Sequence, residues 1–247
     1  MYETLYRMAK EAEFDAVISA FETELDGHKV ITTYPFPVDT RLTREYIEQE
    51  IMTYLLQSDQ MNTVWNKLYK RKLLVEHDVQ FPEKMALGED GVFNIRFFAH
   101  AFLVISTNYR GYHYREVEGS ATRDIGKKDY FRRALDVYSE HLPETDLINL
   151  DAQSIKQLKS IKLMKSVMAI CHVYLNASHQ LNFLDRLQYV TRMIHHPIVS
   201  EALPHYHKKK YTSLGRYEKL ITYFIRRKSI LGLYLCTTYS RLRSKSM

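Results

Sequence analysis

Two neighbouring carboxylates, Glu89 and Asp90, have the residue type and the setting for acid–base chemistry. They lie between Gly88 and Gly91, where the following run VFNIRFF predicts the start of an apolar helix. A helix N-terminus stabilises a carboxylate through free N–H groups and the helix dipole, which lowers its pKa and keeps it ionised. Two interpretations follow from this position: an acid that caps the helix, or a general base that the helix start holds in place.

Three segments follow one another along the chain: NTVWNKLYKRKLL, then FPEKMALGEDGVFNIRFF with the two carboxylates, then RGYHYREVEGSATR. Together they resemble motifs of family 2 glycosyltransferases, the GT-A-fold enzymes of bacterial capsule and surface-polysaccharide assembly. Each fragment is weak alone, but their order and spacing over residues 62–120 are fairly specific. The matching residues are Asn62, Trp65, Lys67, Leu68, Tyr69, Phe81, Pro82, Gly88, Glu89, Asp90, Phe93, Tyr112, Tyr114 and Ser120.

The resemblance implies that Asp90 is the general base of an inverting transfer, which takes the proton from the acceptor hydroxyl as it attacks the anomeric carbon. It implies that Glu89 orients the acceptor or neighbouring side chains. Trp65 either stacks on a sugar or fills a core position, and Lys67 faces the acceptor, faces Asp90 or is solvated. The substrate-binding residues that it implies are Asn62, Trp65, Lys67, Tyr69, Tyr114, Arg115 and Ser120.

His113 and Arg115 alternate along a predicted strand, so their side chains share one face. They either reach a diphosphate or a metal together, or form an exposed strand face. The resemblance implies a divalent metal, Mn²⁺ or Mg²⁺, in the full enzyme, and His113 is a candidate ligand. The other histidines of the C-terminal half, at 195, 196, 205 and 207, have no acidic partner at ligand spacing and are predicted to lie on the surface.

The nucleotide-binding features of such enzymes have no counterpart in this sequence. It contains neither an Asp-x-Asp motif, which would hold the metal against the sugar diphosphate, nor a glycine-rich phosphate loop. The resemblance therefore predicts a truncated glycosyltransferase with an acceptor half, no donor half and no activity alone. The expected partners of the whole enzyme are a nucleotide-sugar donor and a glycan or lipid-linked acceptor.

The elements that must position these residues are of two kinds. A helix at 1–14 and a helix at 90–99 accompany extended segments in the first half, whereas the sequence from Asp129 onward is almost entirely helical. The fold class is therefore α/β, with a mixed sheet and helices over 1–120 followed by a helical extension over 121–247. The resemblance implies that the part over 1–120 is a partial GT-A fold, its acceptor half. The other predicted elements are strands at 15–25, 28–36 and 64–70, an extended segment at 101–117 that is broken near Arg110-Gly111, and helices at 43–57, 71–77, 129–142, 155–175, 181–196, 213–228 and 229–243.

The net charge of +6 is concentrated at the C-terminus, where 11 Lys/Arg and the single acid Glu218 follow from His205 onward. A basic amphipathic helix at 213–228, with Ile221 and Ile225 on its apolar face, either lies on an anionic membrane surface or packs on the body with a solvated basic edge. Nucleic acid is not an expected partner, because no known binding motif accompanies these cations.

Cys171 and Cys236 have no metal-binding spacing, which fits a reducing compartment, and no run of 18 apolar residues predicts a membrane span. The expected location is cytoplasmic and peripheral at the inner face of the plasma membrane. An alternative to the transferase is a non-catalytic helical interaction module or a membrane-associated module.

Overall fold

The structure is a computed structural model that describes residues 1–25, 28–83, 85, 88–115, 129–142, 148–176 and 181–245. The chain forms two compact units: Met1–Arg123 with His141–Leu150, and Asp124–Glu140 with Asp151–Met247. We call the first the mixed unit and the second the helical unit. The boundary predicted between residues 120 and 121 lies outside the described residues.

The mixed unit contains two sheets. Its strands are β1 Ala16–Ser19, β2 Phe21–Leu25, β3 His28–Thr32, β4 Arg41–Thr43, β5 Lys67–Tyr69, β6 Leu103–Thr107 and β7 His113–Arg115. One sheet has the order β4-β6-β1-β5 and the other the order β3-β2-β7. β1 pairs parallel with β6 and antiparallel with β5, and all four of its residues are buried, which is typical of a central strand in a covered sheet.

The single strand predicted over 15–25 is wrong, because the chain divides at Ala20 into β1 and β2, which belong to different sheets. The sequence of β1 is uniformly apolar up to Ser19, whereas β2 alternates apolar or neutral residues with Glu22 and Glu24. The first pattern suits a buried central strand and the second a half-exposed hairpin. The predicted hairpin itself is confirmed, since β2 pairs antiparallel with β3.

The helices of the mixed unit bury apolar faces against one another. They are α1 Tyr2–Glu11, α2 Arg44–Tyr46, a π-helical segment Ile47–Met52, α3 Thr53–Gln57, α4 Arg71–Glu76 and α5 Glu89–His100. The predicted helix over 43–57 is thus present, with a π-helical middle. Phe97 and Phe98 of α5 are fully buried. Arg44 Nη1 donates to the carbonyl oxygens of Ala99 at 2.6 Å and Ala101 at 3.1 Å, which satisfies backbone acceptors where α5 ends.

The helical unit is built around one long helix. Its elements are α6 Tyr130–Ser139, α7 Ala152–Leu175, α8 Phe183–His195, α9 Pro197–Lys210, a short 3-10 turn Tyr211–Ser213, α10 Arg216–Arg226 and α11 Ile230–Lys245. Ile161, Met164, Val167 and Cys171 of α7 are fully buried at helical spacing. No helix in the described parts of the chain is long and apolar enough to cross a bilayer.

Two helices of this unit bear on the sequence predictions: α9 was not predicted, and the burial of α10 distinguishes between its membrane-bound and packed alternatives. The sequence pattern predicts no separate element between residues 197 and 212, yet α9 is a helix that begins at Pro197 and contains Pro204. In α10, Ile221 and Ile225 are almost completely buried. The structure therefore favours the packed alternative for this helix, since its apolar face is turned into the unit.

Candidate active site

The start of α5 is formed without a side-chain cap. Gly88 occupies the N-cap position with φ 95°, a left-handed conformation that favours glycine, and Glu89 and Asp90 follow in the first turn. The N-cap residue is thus a glycine and neither of the two acids, which lie one and two residues further into the helix. A carboxylate in the first turn still interacts favourably with the helix dipole, so both interpretations of the pair remain open at this point.

The Asp90 carboxyl is half-buried and interacts with Lys67 and with the backbone of Val64. Burial, and then repulsion from Glu89, raise its pKa above the ordinary 3.8, while a backbone hydrogen bond from Val64 and the Lys67 ammonium act in the opposite direction. The sequence predicted a lowered pKa from the helix start. The structure corrects that direction, because desolvation and a like charge outweigh the stabilising contacts.

Glu89 presents a buried oxygen to the same region. Its Oε2 atom is buried and has no hydrogen-bond partner among the described residues. Buried polar atoms in native proteins are nearly always paired, so such an oxygen marks a place where a donor is missing. The acceptor-orienting role expected of Glu89 stays a prediction, and its free oxygen is suited to receive a hydroxyl group.

Lys67 is buried in β5 rather than solvated, so that alternative is wrong. Its Nζ donates to the carbonyl oxygen of Met61 at 3.1 Å, to Oδ1 of Asn66 at 3.2 Å and to the carbonyl oxygen of Thr63. Burial lowers the pKa of Lys67 to about 7, and attraction to the Asp90 carboxylate opposes that shift. The Lys67 amine, whose pKa is near neutral pH, therefore interacts electrostatically with the Asp90 carboxylate.

Asn94, one turn after Asp90 on α5, joins three of the elements at the site. Its Nδ2 donates to the carbonyl oxygens of Asn62 at 2.7 Å and Asp90 at 2.8 Å. Its Oδ1 accepts from the Tyr69 hydroxyl at 2.8 Å. Sequence reasoning did not assign Asn94, although a single amide within the run VFNIRFF was a signal that a buried polar residue has a specific partner.

A second buried network holds the segment that carries Lys67. Asn66 Nδ2 donates to the carbonyl oxygen of Ser19 at 2.6 Å and to the Tyr34 hydroxyl at 2.9 Å. Its Oδ1 accepts from the Thr63 hydroxyl at 2.8 Å. Tyr34 was missed because it is distant in sequence and belongs to no recognisable local motif.

Trp65 packs against the three-stranded sheet. Its ring stacks on Tyr112 with centroids 4.0 Å apart and lies 5.7 Å from Tyr114, while Phe21 meets it edge-on at 4.7 Å. One face of the indole is therefore covered by a tyrosine, and the residue as a whole is half-buried. Trp65 and Tyr114, two residues expected to bind substrate, therefore lie together in one aromatic cluster. Their role in substrate binding stays a prediction.

His113 and Arg115 are both exposed on β7. His113 Nδ1 lies 3.4 Å from Glu22 Oε1, which Lys29 Nζ also approaches at 2.9 Å. Within the described ranges, no three histidine, cysteine or acidic side chains cluster as a metal site. These residues therefore do not fit a divalent metal by themselves, and the ligand role of His113 stays a prediction. Ser120 lies outside the described residues.

The chain has detectable similarity to known proteins. No protein-family model matches the sequence. Glycosyltransferase GlyG of Streptococcus pneumoniae serotype 4 (strain ATCC BAA-334 / TIGR4) is 25% identical over 169 residues, which are 67% of this chain and 55% of that protein. The chain thus spans about half the length of this curated relative.

Crystal structures of S. aureus TarS residues 1–349 share the fold. The complex with UDP-GlcNAc has a TM-score of 0.57 at 13% identity and covers 98% of this chain and 63% of that one. The complex with UDP has a TM-score of 0.54 at 13% identity and covers 98% and 62%. The comparisons confirm the resemblance to a glycosyltransferase and the α/β, GT-A-like fold with a helical C-terminal region.

Proposed function

We propose that this chain supplies the acceptor side of a sugar transfer in surface-polysaccharide synthesis, with Asp90 as the general base. The observation that carries the proposal is the pair of half-buried carboxylates in the first turn of α5, beside the buried Lys67. The resemblance to a glycosyltransferase supports the assignment of this pair to chemistry rather than to helix stability.

The proposed step is an in-line displacement at the anomeric carbon. An acceptor hydroxyl oxygen forms the new bond, the bond from the anomeric carbon to the leaving diphosphate oxygen breaks, and the hydroxyl proton passes to Asp90. A base with a raised pKa is better matched to this proton than an ordinary carboxylate. The configuration at the anomeric carbon is inverted.

The neighbouring side chains have distinct parts in this step. The unpaired Oε2 of Glu89 accepts a hydrogen bond from a second acceptor hydroxyl and orients the sugar. Lys67 limits the rise in the pKa of Asp90, so that enough of the base is ionised near neutral pH. Asn62, Tyr69 and Asn94 hold the helix start against β5 and its preceding loop.

The proposed donor is a nucleotide sugar. The support is that TarS, a structural neighbour, was crystallised with UDP-GlcNAc and with UDP. The proposed acceptor is a glycan or a lipid-linked saccharide, which fits a protein peripheral to the cytoplasmic face of the plasma membrane. The Mn²⁺ or Mg²⁺ of the full enzyme requires ligands beyond those in the described residues, so no step here depends on it. We further propose that this chain alone has no measurable turnover, since its sequence has no Asp-x-Asp.

Trp65 is the single tryptophan of the chain, and its intrinsic emission gives a direct test. Titration with capsular and lipid-linked saccharides is expected to shift or quench that emission. Incubation with a panel of nucleotide sugars and the same saccharides is expected to release no nucleotide diphosphate.

Two results would contradict the proposal. Robust turnover by the chain alone would show that the donor site is present and that the predicted inactivity is wrong. Unchanged emission with every saccharide and every nucleotide sugar would favour the non-catalytic interaction module instead.

A further inference from the structure

The last helix of the chain carries an apolar face that nothing in the described structure covers. The inner face of α11 includes Leu233, Cys236 and Thr237, which are buried. On the outer face, large apolar side chains recur at intervals of four, four and three residues, which is one side of a helix. This outer set, the α11 stripe, is Leu231, Leu235, Tyr239 and Leu242, and these residues are 66%, 59%, 63% and 61% exposed.

Further apolar groups are exposed on α8 and α10, the two helices that pack against α11 together with α7. Phe183 and Leu184 at the start of α8 are 46% and 67% exposed, and the Phe183 ring lies 5.6 Å from that of Tyr234 on α11. Leu220 and Tyr223 of α10 are also exposed. Single exposed apolar residues are ordinary on a soluble surface, but a stripe with apolar neighbours indicates an interaction site.

The charged residues that follow Glu218, in most of α10 and all of α11, have one sign. After Glu218 the sequence contains no acid up to the last residue. The cations in that segment are Lys219, Arg226, Arg227, Lys228, Arg241, Arg243 and Lys245. Arg226, Arg227, Lys228 and Arg243 are exposed. A helix pair that combines exposed leucines with cations, and that has no acid after Glu218, is complementary to a plane of anionic head groups over hydrocarbon.

We propose that the α10–α11 hairpin binds an anionic lipid bilayer, with α11 lying in the interface and the α11 stripe inserted at the boundary between head groups and acyl chains. The membrane-binding face is therefore the outer face of α11 and not the apolar face of α10, since Ile221 and Ile225 are used in the packing of the unit. Each cation near the surface adds to binding, and each inserted leucine adds apolar burial. This surface does not depend on the sugar-transfer proposal.

Flotation of the full chain with vesicles tests the proposal. Binding is expected to vesicles of equal parts phosphatidylcholine and phosphatidylglycerol and to be much weaker with phosphatidylcholine alone. Replacing Leu231 and Leu235 with serine is expected to lower the partition coefficient at least about tenfold. Arg227→Gln is expected to lower it about fivefold, and added salt is expected to weaken binding of the unaltered chain.

The matched control replaces two comparably exposed apolar residues elsewhere, Tyr6→Ser on α1 and Val75→Ser on α4, and is expected to bind like the unaltered chain. Circular dichroism verifies that each variant is folded. Equal binding to both kinds of vesicle, or unchanged binding after loss of both leucines, would overturn the proposal. So would an oligomer in solution that the Leu231 and Leu235 variant converts to monomer, because the α11 stripe would then be a subunit interface.

Discussion

The hydroxyl of Tyr69 donates to Oδ1 of Asn94 at 2.8 Å and thereby joins β5 to the helix that carries Asp90. Asn94 in turn donates to the carbonyl oxygen of Asn62 at 2.7 Å. The position of the proposed base is therefore determined by a buried amide one helical turn away and not by a cap at the helix start. This dependence can be measured separately from chemistry.

Asn94→Leu is expected to lower the free energy of unfolding by about 3 kcal/mol, because the Tyr69 hydroxyl and the Asn62 carbonyl lose a buried partner and because leucine is bulkier than asparagine. Tyr69→Phe is expected to cost about 1 kcal/mol. Urea denaturation of both single variants and the double variant measures their coupling. A double variant whose cost equals the sum of the two would contradict the network, since bonded residues couple by about 0.5 kcal/mol or more.

The local elements around the site follow from sequence pattern because their signals are local. The apolar run after Gly88 predicts α5, and β5, α4 and the β2–β3 hairpin occur where periodicity and turn residues place them. The order of the motifs also predicts that Asn62, Lys67 and Tyr69 come near Asp90, and the contacts among Tyr69, Asn94 and Asn62 agree with it.

The remaining features depend on packing between distant segments. The division of the chain at Ala20 arises because β1 and β2 find different partners, and pairing of this kind is not encoded in either segment alone. The contact of Tyr34 with Asn66 spans 32 residues. The burial of Lys67, and the net direction of the pKa shift of Asp90, follow from tertiary surroundings that periodicity does not describe.

Gly91→Ala is expected to disturb Asn62. A Cβ atom at position 91 would lie 2.7 Å from Asn62 Oδ1, so the Asn62 side chain must move and give up its 2.8 Å bond to Asp59. Glycan-induced changes in Trp65 emission are expected to be lost. In an Asn62→Ala background the same substitution is expected to raise the free energy of unfolding by up to about 1 kcal/mol, because alanine favours the helix over glycine. Thermal denaturation of the four chains measures this, and equal effects in both backgrounds would contradict the contact.

Lys67→Met is expected to remove a pH dependence of stability. The pKa of Lys67 is about 7 in the folded chain against an ordinary 10.5, so the unfolded state binds more protons between these values and the native chain gains stability as pH rises. The stability of the native chain relative to Lys67→Met should therefore increase by about 1.4 kcal/mol per pH unit above neutrality. Urea denaturation across the alkaline range measures the slope. The control is the same substitution at an exposed lysine, Lys72→Met on α4.

Asp90→Asn is expected to stabilise the chain near neutral pH. Because burial and Glu89 raise the pKa of Asp90 above 3.8, ionisation costs folding free energy as pH rises from 3.8 to the folded value. Native chain and variant should thus be equally stable at pH below 3.8 and diverge in favour of the variant above it. Urea denaturation over this range measures the difference, with Asp39→Asn at an exposed carboxylate as the control.

The sign of that difference separates a base from a structural acid. A carboxylate retained for stability would make Asp90→Asn less stable at neutral pH, because the contacts with Val64 and Lys67 would be weakened without compensation. A carboxylate that acts as a base lowers the stability of the folded chain, because partial burial and repulsion from a neighbouring carboxylate raise its pKa and make it a better proton acceptor. Glu89→Gln removes only the repulsion, so it should give part of the same gain. If instead Asp90→Asn is destabilised throughout and Glu89→Gln has no effect, the pair is not the proton-accepting site that the geometry of α5 supports.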